Sequence, residues 1–108
     1  MSTNPVLDQL NSEVAAFPTR ASGEELYDYV GRLAARILST NREALAAAMA
    51  DWLKLRMEPK TMLAVQIASD LRLVEVRPEL ESLLNDVLES RVFLPYYAKP
   101  IEATLLKL

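Results

Sequence analysis

Apolar positions recur at helical spacing along this chain. Leu7, Leu10, Val14 and Phe17 form a first stripe, and that spacing predicts an amphipathic helix. Asn4 or Thr3 opens it, Pro5 suits its first turn, and Pro18 stops it. Ser22 with Glu25 makes a capping box for a second helix, which runs to about Ser39. Its core stripe is Leu26, Tyr29, Val30, Leu33 and Ile37. A second stripe of Gly31, Ala34, Ala35 and Leu38 predicts close approach by a neighbouring helix. Thr40 with Glu43 is a second capping box, and the third helix carries Leu45, Met49, Trp52 and Leu53 as far as about Met57. Pro59 begins a fourth, with Leu63, Ala64, Ile67, Ala68 and Leu71. Residues 73–77 read as a short extended connection. Pro78 then opens a fifth helix holding Leu80, Leu83, Leu84, Val87 and Leu88. A loop over 90–94 follows. Pro95 and Pro100 bracket the start of a last helix with Ile101, Leu105 and Leu108, and Pro100 must lie in its first turn or kink it. No segment alternates as a strand.

These segments echo one another every 34 residues. Leu33, Ile67 and Ile101 stand in register, as do Ile37, Leu71 and Leu105. Val30, Ala64 and Ala98 make a third trio, and Tyr29, Leu63 and Tyr97 a fourth. A helical unit repeated at this period cannot bury its apolar face alone and must stack on the next. The predicted fold is all-α, a single domain over 1–108: about six helices in three antiparallel hairpins, forming a short right-handed α-solenoid. A compact helical bundle is the alternative.

The stretch from Met62 to Asp86 resembles HEAT-like repeats, through Ala64, Ala68 and Leu71, then Pro78, Leu80, Leu83, Leu84 and Asp86. The likeness is good over 42–89, fainter to 108 and faint before 40. It implies that Met62–Asp86 holds the second helix of one unit, a turn, and the first helix of the next. The Arg that many such repeats carry before the second helix is not clearly present; Lys60 stands nearest. A tetratricopeptide unit shares the period but would need Trp, Gly and Tyr at positions that lack them. In a HEAT-like stack the second helices line one face. Here that face would present Tyr27, Arg32 and Arg36, then Lys60, Gln66 and Asp70, then Lys99, Glu102 and Lys107. Such a mixed, charged surface suits protein recognition.

Composition narrows the chemistry. The chain has 108 residues, no Cys and no His, which removes thiolate nucleophiles, imidazole bases and zinc-finger sites. Gly occurs only at 23 and 31, so no glycine-rich loop cradles a phosphate. A net charge of -3 argues against a nucleic-acid partner, which needs a basic stripe. The N-terminus lacks a basic flank and an apolar run, and no stretch is long enough to span a membrane. The expected compartment is cytoplasmic. No cofactor or metal is expected, because paired Glu-x-x-His motifs for a di-metal bundle are missing and no convergent carboxylate pair is visible. Glu24, Glu25 and Glu43 sit at helix starts, where the helix dipole favours them. No Ser lies in a nucleophile elbow, and Ser22, Thr40 and Asn41 are accounted for by capping.

Three sets of residues are candidates for partner contact. On the fifth helix Glu79, Ser82, Asp86 and Glu89 follow one face; they read as a solvated face or as a docking stripe for a basic partner. Arg32 and Arg36 lie one turn apart, with Asp28 spaced to pair with Arg32, and they read as ordinary intramolecular pairing or as a partner contact. Tyr96 and Tyr97 cannot both face inward. The repeat register assigns Tyr97 to the core and leaves Tyr96 as the better candidate for an exposed hot spot, since Tyr is prominent among binding hot spots, with packing of its own loop as the alternative. Trp52 reads as core. With Asp70 on the second-helix face, the candidate partner-binding residues are Arg32, Arg36, Asp70, Glu79, Asp86, Glu89 and Tyr96.

The function expected from these features is a non-catalytic protein-binding module. A small, acidic, Cys-free helical domain also resembles bacterial immunity proteins, which bind and block a cognate toxin. Alternatives are a self-associating scaffold or adaptor, including a homodimer that covers the ends of the stack, and a small-ligand carrier with a deep apolar pocket.

Overall fold

The computed structural model describes residues 4–18 and 22–108. They form six α-helices and two short 3-10 turns, with no strand among them. The chain divides into two units, Met1–Ala48 and Met49–Leu108.

In the first unit, α1 spans Pro5–Ala16 and α2 spans Gly23–Thr40. The Asn4 side chain accepts from the amides of Val6 (3.0 Å) and Leu7 (3.3 Å), satisfying donors that a helix start leaves without partners. The Asn4 Nδ2 also donates to the Ala44 carbonyl at 2.9 Å, tying the start of α1 to the chain at residue 44. Phe17, held extended before Pro18, ends α1. Ser22 Oγ accepts from the Glu25 amide at 3.1 Å, as its capping role requires. α1 packs against α2, and Leu10, Val30, Ala34 and Ile37 are buried.

Three expectations for this unit need correction. α2 runs on to Thr40, whose hydroxyl is spent on the Ile37 carbonyl at 3.1 Å. Asn41 leaves helical geometry instead, and its Oδ1 accepts from the Ala44 amide at 3.2 Å. Asn41, not Thr40, therefore caps α3 (Arg42–Leu55). Tyr29 lies outside the core at 38% exposure, because its hydroxyl reaches Glu13 at the surface while its ring rests on Phe17. The small-residue stripe is buried at Ala34 but not at Gly31. A side chain there would first meet the ring of Tyr27, and Ala35 is exposed.

In the second unit Trp52 is fully buried near the end of α3. α4 (Lys60–Leu71) is apolar nearly all round and is buried accordingly through Leu63, Ala64, Val65, Ile67 and Ala68. Arg72 (φ 52°) turns left-handed after it, and the Leu73 amide bonds back to Ala68 at 3.1 Å. The connection expected to be extended is a 3-10 turn, Val74–Val76, leading directly into α5 (Arg77–Leu88). The burial of Leu73 and Val76 explains the tight turn, since both side chains must point inward. α5 buries Leu80, Leu83 and Val87 but exposes Leu88, which falls where the chain leaves the helix. A second 3-10 turn, Pro95–Tyr97, leads into α6 (Ala98–Lys107), with Pro100 in its first turn. α6 packs against both α4 and α5 and buries Ala98, Ile101 and Thr104. Arg77 secures the far end, donating to the Leu105 carbonyl at 3.0 Å.

Candidate functional site

The turn between α3 and α4 and the connection between α5 and α6 meet at one corner of the second unit. α3 ends as Arg56 adopts a left-handed conformation (φ 56°), a state in which a side chain other than Gly is disfavoured. Its guanidinium compensates with several bonds. Nη1 donates to the Leu53 carbonyl at 2.6 Å, a last-turn acceptor of α3, and Nε donates to Asp86 Oδ2 at 3.1 Å. Nη2 donates to Ser82 Oγ at 3.1 Å and lies equally near Asp86. Arg56 thus fastens the turn to α5.

Thr61 holds the same turn from the other side. This buried hydroxyl donates to the Trp52 carbonyl (2.7 Å) and accepts from the Met57 amide (2.9 Å). Beyond Met57, the Glu58 carboxylate accepts from the Tyr97 hydroxyl. That bond, then Tyr96 beside it, raises the Tyr97 phenol above its ordinary ionisation range, because the carboxylate favours the protonated donor. In the first unit Tyr29 is raised in the same direction, foremost by its bond to Glu13.

The α5–α6 connection supplies the other half of the corner. α5 ends in paired bonds from the Arg91 amide to Asp86 and from the Ser90 amide to Val87, with Ser90 left-handed (φ 58°). Phe93 is also left-handed (φ 57°), and its ring lies 5.0 Å from that of Tyr97. Tyr96 stacks on Tyr97, with ring centroids 4.7 Å apart. Arg91 reaches Asp86 and Glu89 at 3.5 Å each. On this polar frame stand Met57, Leu88, Leu94 and Tyr96, each between 58% and 63% exposed.

The structure distributes the sequence candidates unevenly. Asp86, Glu89 and Tyr96 belong to the corner. Asp86 is half-buried and bonded to two arginines, and Glu89 accepts from Asn85 (2.7 Å) and Arg91. The expected acidic stripe is thus largely cross-linked within the chain. Glu79 is half-buried in the first turn of α5. Asp70 is exposed on α4, accepting from Gln66 at 3.3 Å. Arg32 and Arg36 are exposed on α2 in the first unit, and Arg32 donates to the Asp28 carbonyl rather than its carboxylate (3.2 Å). Tyr97, expected in the core, is half-buried, because its hydroxyl requires the Glu58 carboxylate at the surface. Sequence reasoning missed Arg56 and Thr61. Their partners lie 30 and 9 residues away, beyond the reach of any helical spacing rule.

Elsewhere, a shallow, open hollow in the first unit is lined by Asn4, Pro5, Asn41, Glu43, Ala44 and Ala47. Both Asn caps there are already used on helix amides. Among the described residues no group of three or more acidic side chains could hold a metal ion, and no helix is long and apolar enough to cross a membrane. Comparison with family models, with curated proteins and with solved structures finds no match.

Proposed function

We propose that this chain is a non-catalytic protein-binding module built of HEAT-like helical hairpins, and that its partner engages the corner around Tyr96. The observation that carries this reading is the pairing of exposed apolar anchors with a fixed polar frame. Tyr96 is stacked on Tyr97, which is itself held by Glu58, so the ring is ordered before any partner arrives. An anchor already ordered loses little side-chain freedom on binding, and Tyr is among the residues that dominate interface energies. The hairpin arrangement is supported by the 34-residue register and by the packing of α6 on α5 and α4. Because the corner's arginines and carboxylates are cross-linked, apolar contact rather than long-range charge attraction supplies most of the affinity. An immunity-type role, in which the partner is a toxin held inactive, is a more specific form of the same proposal.

Affinity capture from native lysate with quantitative mass spectrometry tests it. Tyr96→Ala should reduce the retained partner by about tenfold or more, the size expected of a hot-spot loss. An Arg32→Ser, Arg36→Ser double variant should retain it. The proposal fails if the corner variant captures the same partner undiminished. Toxicity of that partner when expressed alone would support the immunity form, and a second copy as the retained species would support a self-associating scaffold.

A further inference from the structure

We propose that Arg56 is the positioning residue of this corner: it holds Tyr96 and Tyr97 in place without itself forming the exposed surface. The inference deepens the binding reading and rests on it only for its consequence. Among the described residues, two side-chain ties link the α3–α4 turn to the structure around α5. One is the Arg56 guanidinium on Asp86 and Ser82. The other is the Tyr97 hydroxyl on Glu58, and Tyr97 belongs to the 3-10 turn that packs against α5. Arg56 and Glu58 are two residues apart in one turn, so the two ties share a short piece of backbone. Thr61 fixes that backbone only toward α3 and α4, through Trp52 and Met57. What sets the turn against α5, and so brings Glu58 within reach of Tyr97, is the guanidinium.

The backbone supports this assignment. Arg56 occupies a left-handed position where Gly would fit without strain, at the end of a helix. Strain of this kind persists where the surroundings over-determine it. Here the side chain makes bonds that Gly cannot, to one carbonyl, one carboxylate and one hydroxyl. The side chain is only 21% exposed, so a partner could touch little of it. Its planar, forked donors suit this threefold task, which an ammonium on a flexible stem cannot reproduce.

The test uses the whole chain and its own tyrosines. Ring-carbon NMR titration follows each of the four tyrosines in wild type, Arg56→Ala and Arg56→Lys. Loss of the guanidinium should let Glu58 drift from Tyr97. Tyr97 should then ionise nearer the ordinary tyrosine value of about 10, and its stacking shifts with Tyr96 should fade. Arg56→Lys should restore these only in part. Tyr29, bonded to Glu13 in the first unit, should titrate as in wild type and serves as the internal control. A purely structural role would lower stability without moving Tyr97 in the folded protein. If Arg56→Ala does not fold, Asp86→Ala removes the acceptor of the clasp from the α5 side while leaving the Leu53 bond. Unchanged Tyr97 titration and unchanged stacking in folded Arg56→Ala, or in Asp86→Ala, would overturn the inference. Failure here is separable from failure of the binding reading, because Tyr96→Ala tests that reading alone. Where both hold, Arg56→Ala should weaken partner capture by about as much as Tyr96→Ala does.

Discussion

The two units are built by different means. In the first, helix starts do the organising: Asn4, Ser22 and Asn41 each place a side-chain oxygen on the amides of a new helix. In the second, the decisive groups lie at helix ends and across long stretches of chain. All the left-handed residues among the described ones, Arg56, Arg72, Ser90 and Phe93, belong to it. So do the long-reach arginines, Arg56 on Asp86 and Arg77 on Leu105. Capping spends short side chains on local amides and leaves a smooth helix end. Left-handed turns and arginine clasps instead fold the connections onto the helices and project residues such as Met57, Leu94 and Tyr96 outward. The unit with the costlier turns is the one that carries the candidate surface, as expected where backbone strain is kept for a purpose.

The contrast can be broken at several points. The largest effect is expected at Thr61→Val, which keeps the volume but leaves the Trp52 carbonyl and the Met57 amide without their hydroxyl partner. A loss of about 1–3 kcal/mol is expected, read as a lower urea midpoint. An unchanged midpoint would mean that the hydroxyl does not hold the turn. In the first unit Asn4→Ala removes a cap and the bond to Ala44, and thermal or urea unfolding should show a loss of about 1 kcal/mol. Ser90→Gly should act in the opposite sense. The position is left-handed and ends α5, so relief of the backbone should outweigh the added freedom of the unfolded chain by about 0.5–1 kcal/mol. A destabilised Ser90→Gly would show that the Ser90 turn carries no strain to relieve.

The smallest effect concerns pH. Tyr29 and Tyr97 are both raised by a carboxylate that accepts from the phenol. The folded state therefore holds these protons more tightly than the unfolded one. Their contribution is full below the unfolded value of about 10 and is lost as pH rises through the higher folded values. Denaturation series carried into alkali should show stability falling in that window. Tyr97→Phe should remove the share of the second unit and Tyr29→Phe that of the first, and identical slopes in all three proteins would refute the assignment.

The same division explains what was legible in the sequence. The helices were readable because apolar stripes recur at helical spacing, and the cap residues Asn4 and Ser22 stand beside them. The choice between Thr40 and Asn41 was not readable, since both can cap and only the length of α2 decides. Helix ends were harder still. Gly is the usual marker of a left-handed end, but Gly23 begins α2 and Gly31 lies inside it, while Arg56, Arg72 and Ser90 perform the turns. Tyr29 and Tyr97 followed the apolar register yet stayed at the surface, because periodicity records the ring and not the need of the hydroxyl. Among the residues of this corner, spacing marks Asp86 and Glu89 on α5, and the repeat register leaves Tyr96 exposed. The Arg56 clasp on Asp86 carries no such mark, because the approach of Arg56 to Asp86 exists only in three dimensions.

The most direct test of the central proposal is a hydrogen-exchange footprint of the chain with its captured partner bound. Protection should gather on residues 55–58 and 88–97 of the second unit and leave the exposed face of α2, with Arg32 and Arg36, exchanging as in the free protein. Protection centred on α2, with the corner unchanged, would contradict it.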